Sequence, residues 1–173
     1  MHIIIDGYNL IRQSPALRRF ERISLEEGRR ELVRRVSRYK KAKGHKVTVV
    51  FDGWLAGPPA REESREAGIR IIFTGRGETA DEAICRMVEK GGEEIVVVTS
   101  DRPVARRAFS RGNAAVSSQD FEALMKREED NIFIREKGVD EGEDEDSASA
   151  KHRGPSRRTS KKEKRAVQRL KKL

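Results

Sequence analysis

Cysteine, histidine and long apolar runs are all scarce in this chain, and each shortage closes off a class of function. The lone cysteine, Cys85, excludes an internal disulfide and any cysteine-built zinc site. It falls at an apolar position within a helical stretch and reads as a core thiol rather than a nucleophile. None of the three histidines is placed as a general base: His2 precedes the first strand, His45 lies in a turn and His152 sits in a charged terminal stretch. No run approaches the ~18 apolar residues of a membrane span. The opening Met1-His2-Ile3-Ile4-Ile5-Asp6 lacks a basic leader and reaches an acid too soon for a signal peptide, so a cytoplasmic protein is expected. Gly75-x-Gly77 is too short for a nucleotide-binding loop, and no complete phosphate-binding signature occurs.

What the chain has in abundance is charge. Of its 173 residues 39% are charged and only 35% apolar, an average that conceals a foldable and an unfoldable part. Residues 136–150 carry a net −6 and residues 151–173 a net +10, which leaves +5 on residues 1–135. The division expected is therefore a single domain over 1–135 and a disordered, acidic-then-basic tail over 136–173. A pI near 9.9 points to a polyanionic partner, usually nucleic acid, although the tail taken alone reads equally well as a solvated charge run.

Within the domain, short apolar runs alternate with amphipathic helical stretches, the βα pattern of a parallel sheet covered on both faces. Strands are expected at Ile3–Ile5, Lys46–Phe51, Ile69–Phe73, Ile95–Val98 and Ala114–Val116. The fourth of these, uniformly β-branched, should lie inside the sheet. Ser24-Leu25-Glu26-Glu27 and Thr79-Ala80-Asp81-Glu82 are capping boxes that open helices. Asp101-Arg102-Pro103 starts another helix, Ser118 caps one running to about Glu128, and Ile132–Ile134 is either an edge strand or the end of order.

The informative feature is where the aspartates fall. Asp6 follows the first strand, Asp52 the second and Asp101 the fourth, while Asp81 lies in the first turn of the intervening helix. In an open parallel sheet, strand carboxyl ends and helix amino ends share one rim. Carboxylates gathered there disfavour joint ionisation, and a hard divalent cation with all-oxygen ligation, Mg²⁺ or Mn²⁺, relieves that repulsion. Each aspartate taken singly also has a local explanation as a helix cap or turn residue. All four at one rim favour a site.

Ile4-Ile5-Asp6-Gly7-Tyr8-Asn9-Leu10-Ile11, Val49-Val50-Phe51-Asp52-Gly53, Thr79-Ala80-Asp81-Glu82 and Val97-Val98-Thr99-Ser100-Asp101, taken in order, resemble the successive motifs of NYN-domain nucleases. Within that group the chain is most similar to the YacP-like branch, over about residues 3–125. The resemblance implies a PIN-like, three-layer α/β fold with a mainly parallel central sheet flanked by helices. It also implies metal-dependent endoribonuclease activity on RNA phosphodiesters, with messenger RNA on the ribosome as a candidate substrate. Asp6, Asp81 and Asp101 match the acidic ligand positions best. Asn9 matches the family's asparagine, positioned for a metal-bound water or for Asp6 itself. Asp52 fits a motif position whose direct ligation stays open.

Trp54, on the segment after Asp52, either stacks an unpaired base or anchors its own loop. Arg61, Arg65, Arg76, Arg102 and Arg106 are candidate phosphate contacts, and the basic tail suits ribosomal RNA or another polyanion. Two competing functions remain. One is a non-catalytic RNA- or ribosome-binding adaptor on a nuclease scaffold. The other is a phosphatase for small phosphomonoesters, against which stands the lack of an Asp-x-Asp nucleophile.

Overall fold

The first strand and the helix after it turn on one residue. β1 (His2–Asp6) is buried along its whole length, and Asp6 at its end caps α1 (Gly7–Gln13) by accepting the Asn9 backbone N–H at 3.1 Å. Ser14 ends α1 and caps α2 (Pro15–Glu21), its hydroxyl accepting the Leu17 N–H at 3.1 Å, with proline in the first turn where no N–H is needed. α3 (Leu25–Lys43) opens on Ser24 and stops at Gly44, which adopts the left-handed φ of +70° that closes a helix. The chain continues through β2 (Lys46–Phe51), β3 (Glu62–Glu66), β4 (Ile69–Phe73), α4 (Ala80–Lys90), β5 (Ile95–Val98), α5 (Arg102–Ser110), β6 (Ala114–Val116) and α6 (Ser118–Glu136). This computed structural model describes residues 1–53, 58–136 and 172–173.

The six strands form one sheet in the order β3-β4-β2-β1-β5-β6. Every pairing is parallel except that of β3 with β4. Side-chain alternation divides the sheet between two apolar layers. Ile3, Ile5, Val47, Val49, Phe51, Val96 and Val98 face the layer of α1, α2, α3 and α6. Ile4, Val50, Ile72, Ile95 and Val97 face α4 and α5. The expected three-layer α/β architecture is therefore the one found, and β5 lies between β1 and β6 as its composition suggested.

Three local expectations change. α1 and α2 were hidden because each spans only two turns and Pro15 falls between them. β3, Glu62-Glu63-Ser64-Arg65-Glu66, is exposed throughout and carries no apolar alternation, so pairing with β4 alone makes it a strand. Ile132–Ile134 is helical, part of an α6 that continues to Glu136. The acidic stretch, most of the basic stretch and Trp54 lie outside the described residues. Leu173, assigned to the tail, is buried in the larger apolar layer, and its carbonyl accepts the Tyr39 hydroxyl at 2.9 Å.

Gly7 explains the glycine after Asp6. A Cβ there would stand 2.4 Å from Cε1 of Phe51, whose ring is itself held against Tyr8 and Phe73. Gly7→Ala is expected to destabilise the chain by about 1–3 kcal/mol through overpacking. Chemical denaturation measures this, and an unchanged midpoint would show that the Phe51 ring yields freely.

Candidate active site

The sheet topology delivers the aspartates to one rim. Asp6 ends β1, Asp52 follows β2, and Asp101 follows β5 by two residues. β1 lies between β2 and β5, so the three enter from adjacent strand ends, while Asp81 arrives on the first turn of α4. A groove of about 870 Å³ opens at this rim, lined among others by Asp6, Asn9, Asp52, Asp81 and Thr79.

These carboxylates act on one another. Asp6 is only 7% exposed, and burial pushes its pKa up to about 6, with the charges of Asp81 and Asp101 adding to the shift. Hydrogen bonds from the Asn9 N–H and the Thr99 hydroxyl pull the other way without offsetting it. Asp81 is also raised, by desolvation and then by Asp101 and Asp52. Among the described residues, no lysine, arginine or histidine forms an ion pair with Asp6, Asp81 or Asp101. Among the described residues, these three carboxylates therefore have no cationic side chain paired with them.

Two polar residues brace it. The Thr99 hydroxyl donates to Oδ2 of Asp6 at 3.5 Å and accepts the Asp101 N–H at 3.1 Å, linking the two carboxylate-bearing turns. Asp101 in turn caps α5, its Oδ1 accepting the Val104 N–H at 3.0 Å. The Asn9 side-chain oxygen accepts the Ser100 N–H at 2.9 Å and the Ser118 hydroxyl at 2.7 Å. Since a backbone N–H must donate, this fixes the orientation of the Asn9 amide. Its oxygen thus ties α1 to the β5–α5 turn and to the start of α6, a bracing duty that the motif alone did not reveal. Ser100 continues the brace, its hydroxyl accepting the Ser118 N–H at 3.2 Å. Glu82 completes the α4 capping box with Thr79, the role expected of it.

The donor chemistry at this rim, oxygen only and negatively charged, suits a hard cation such as Mg²⁺. Among the described residues, no three His, Cys, Asp or Glu side chains are gathered into a ready ligand cage. Mg²⁺ commonly keeps several waters and takes one or two carboxylates, so an open set of this kind is compatible with it.

The expected RNA contacts divide differently. Arg61 lies away from the acidic groove, paired with Glu63 at 2.9 Å, and lines a separate concavity with Lys46, Arg70 and Arg86. Arg65 lies on the exposed edge strand, and Arg76, Arg102 and Arg106 are exposed. None of these five lines the groove, whereas Tyr8, Arg12, Arg29 and Phe73 do. No apolar spacing or motif marks Arg12 and Arg29 in the sequence; the packing of α1 and α3 places them there.

The raised pKa of Asp6 has a measurable consequence. A carboxyl that titrates near 6 when folded and near 3.8 otherwise makes the folded state lose stability as pH rises between those values. Asp6→Asn keeps the acceptor for the Asn9 N–H and removes the charge. It is expected to be more stable than the parent at pH 7.5, by about 2–3 kcal/mol in the absence of divalent cations, and no more stable near pH 3.5. Thermal melts at both pH values measure this; an equal effect at both would discard the charge-based explanation. Mg²⁺ should raise the melting temperature of the parent at pH 7.5 more than that of Asp6→Asn.

Comparison with known proteins agrees with this fold. The chain is 31% identical over 122 residues to the uncharacterized protein YacP of Bacillus subtilis (strain 168), covering 69% of this chain and 71% of that one. A crystal structure of Rae1 (YacP) from Bacillus subtilis superposes with a TM-score of 0.69 at 28% identity, over 80% of this chain and 81% of the other. A crystal structure of a single-substitution mutant of the same Bacillus subtilis protein superposes at 0.66 with 26% identity, over 83% and 85% of the two chains. The model of the YacP-like NYN domain matches residues 3–172, and with that span of agreement the chain belongs to the YacP-like NYN domain family.

Proposed function

We propose that the chain is an endoribonuclease that hydrolyses RNA phosphodiester bonds at the aspartates of this rim. The carrying observation is the anionic cluster without a counter-cation: Asp6 and Asp81 are both raised and neither is ion-paired among the described residues. Asp6, Asp81 and Asp101 would hold Mg²⁺ or Mn²⁺, with Asp52 at the margin. When bound, such a cation neutralises the carboxylates, activates a water and stabilises charge developing on the phosphate.

The chain's own contribution is position. Thr99 and the Asn9 backbone N–H hold the Asp6 carboxylate, and Thr99 sets the turn that presents Asp101. The Asn9 side chain locks that turn to α6, so the rim is fixed from three sides before substrate arrives. A nuclease fold and a basic chain suit a polymer better than a small phosphomonoester. The basic stretch 151–173 would attach the enzyme to RNA by counter-ion release, with ribosomal RNA the candidate partner, messenger RNA the candidate substrate and the cytoplasm the setting.

One observation favours a second reading. Asp6 and Asp101 both cap helices, and the acidic side chains form no closed ligand cage among the described residues. A non-catalytic RNA-binding adaptor on the same scaffold accommodates both facts. Purified chain incubated with a short RNA and Mg²⁺ or Mn²⁺ separates the two. Cleavage that falls about a hundredfold or more in Asp81→Asn and Asp101→Asn, and stops with chelator, is the outcome expected of the enzyme. Binding without cleavage under either metal would leave the adaptor.

A further inference from the structure

The groove is lined by two unlike sets of residues. Asp6, Asn9, Asp52 and Asp81 line it together with Tyr8, Arg12, Arg29 and Phe73. Those last four come from α1, α3 and β4, so the fold rather than local sequence assembles them. Phe51 backs the wall, with Tyr8 edge-on at 5.2 Å and Phe73 stacked at 5.3 Å. The Arg12 guanidinium lies over the Tyr8 ring at 5.4 Å and that of Arg29 over the Phe73 ring at 5.2 Å. Each cation is thereby held against an aromatic face.

Arg29 differs from its neighbours on α3. Arg30 bridges Glu26 and Glu27, Arg34 and Arg35 share Glu31, and Arg38 meets Glu129. Arg29 forms no ion pair among the described residues; its Nε donates to the Leu25 carbonyl at 3.2 Å. Among the described residues, α3 thus pairs its other arginines with carboxylates and leaves Arg29 unpaired at the groove. Arg12 is less available, since it also pairs with Glu21 at 3.4 Å.

A polyanion entering an acidic groove is repelled everywhere except where a cation intervenes. The phosphates beside the one being cut therefore need a positive contact close by, and Arg29 is the groove arginine that forms no ion pair among the described residues. The neighbouring aromatic wall adds a surface for a base, which only an unpaired base can reach, because a duplex keeps its base faces stacked on one another. We propose that the part of the groove lined by Tyr8, Arg12, Arg29 and Phe73 seats a nucleotide flanking the scissile phosphate of single-stranded RNA. Arg29 contacts a backbone phosphate, Arg12 assists, and the Tyr8 ring meets an unpaired base. This assignment rests on the reading of the groove's aspartates as the cleavage site, and makes the groove selective for single strands.

The test uses the full chain carrying Asp81→Asn, to prevent cutting, and a short RNA with one 2-aminopurine, single-stranded or annealed to its complement. Affinity is read by anisotropy and base stacking by fluorescence quenching. Arg29→Ala is expected to weaken single-strand binding about tenfold, and Arg30→Ala on the same helix to leave it unchanged. Tyr8→Leu should relieve the quenching, and Tyr8→Phe should retain it. Circular dichroism and thermal melts of each variant confirm that it folds. No measurable binding by the parent, duplex bound as tightly as single strand, or Arg29→Ala binding like the parent overturns the proposal.

The same substitutions in the chain with Asp81 intact keep this question apart from that of hydrolysis. Arg29-dependent binding without any cutting would remove the hydrolase reading and leave the single-strand seat standing. Cutting whose KM is indifferent to Arg29→Ala and Tyr8→Leu would do the reverse. A raised KM at nearly constant kcat is the result expected when Arg29 positions substrate.

Discussion

Electrostatic repulsion among aspartates at the end of a parallel sheet is the constraint on which the rest of this molecule depends. Burial already disfavours the ionised form of Asp6, and Asp81 and Asp101 add their fields to that cost. A fold optimised only for stability would separate these groups or give them arginines, as α3 does for Glu31 with Arg34 and Arg35. There the partnership draws the Glu31 pKa down to about 2, the opposite displacement from Asp6 in the same chain. The contrast shows that cations are plentiful and that, among the described residues, Asp6, Asp81 and Asp101 form no ion pair with them.

Holding repelling groups in place requires a frame that does not relax. The parallel order β2-β1-β5 puts three strand ends side by side, which supplies the coarse geometry. The fine geometry comes from short polar links. Thr99 serves Asp6 and Asp101 with one hydroxyl, and Asn9 serves Ser100 and Ser118 with one oxygen. Gly7 lets the Asp6 turn press against Phe51, and Phe51 in turn supports Tyr8 and Phe73. Acidic rim and aromatic wall therefore share a foundation, and a displacement of the Phe51 ring would reach both.

Much of this was legible in the sequence where the signal is local. The apolar runs of β1, β2, β4, β5 and β6 announce buried strands, and serine, threonine and aspartate caps mark the starts of α3, α4 and α5. The aspartates could be assigned to one rim because strand ends and helix starts share it in a parallel sheet. What escaped depends on partners far along the chain. The strand character of Glu62–Glu66 is lent by β4. The bracing role of Asn9 requires Ser118, 109 residues away. The sequence assigned Thr99 no role, because its two hydrogen bonds are invisible without coordinates. Arg29 looked like the other arginines of its helix until their carboxylate partners could be assigned.

That last distinction bears on how charge can be read in so basic a chain. A positive total attracts a polyanion at long range and says little about where it rests. Arg61, Arg70 and Arg107 add to the total, yet each is engaged by Glu63 or Glu89 and contributes mainly to surface ion pairing. The site-specific information lies in which charges lack a protein partner. Asp6, Asp81 and Asp101 form no ion pair among the described residues, and neither does Arg29, which lines the same groove as Asp6 and Asp81. Ligands of opposite sign complete such a pair of deficits, a cation at the carboxylates and a phosphate at the guanidinium. A single RNA strand with a bound divalent ion brings both at once, and its backbone supplies the spacing between them.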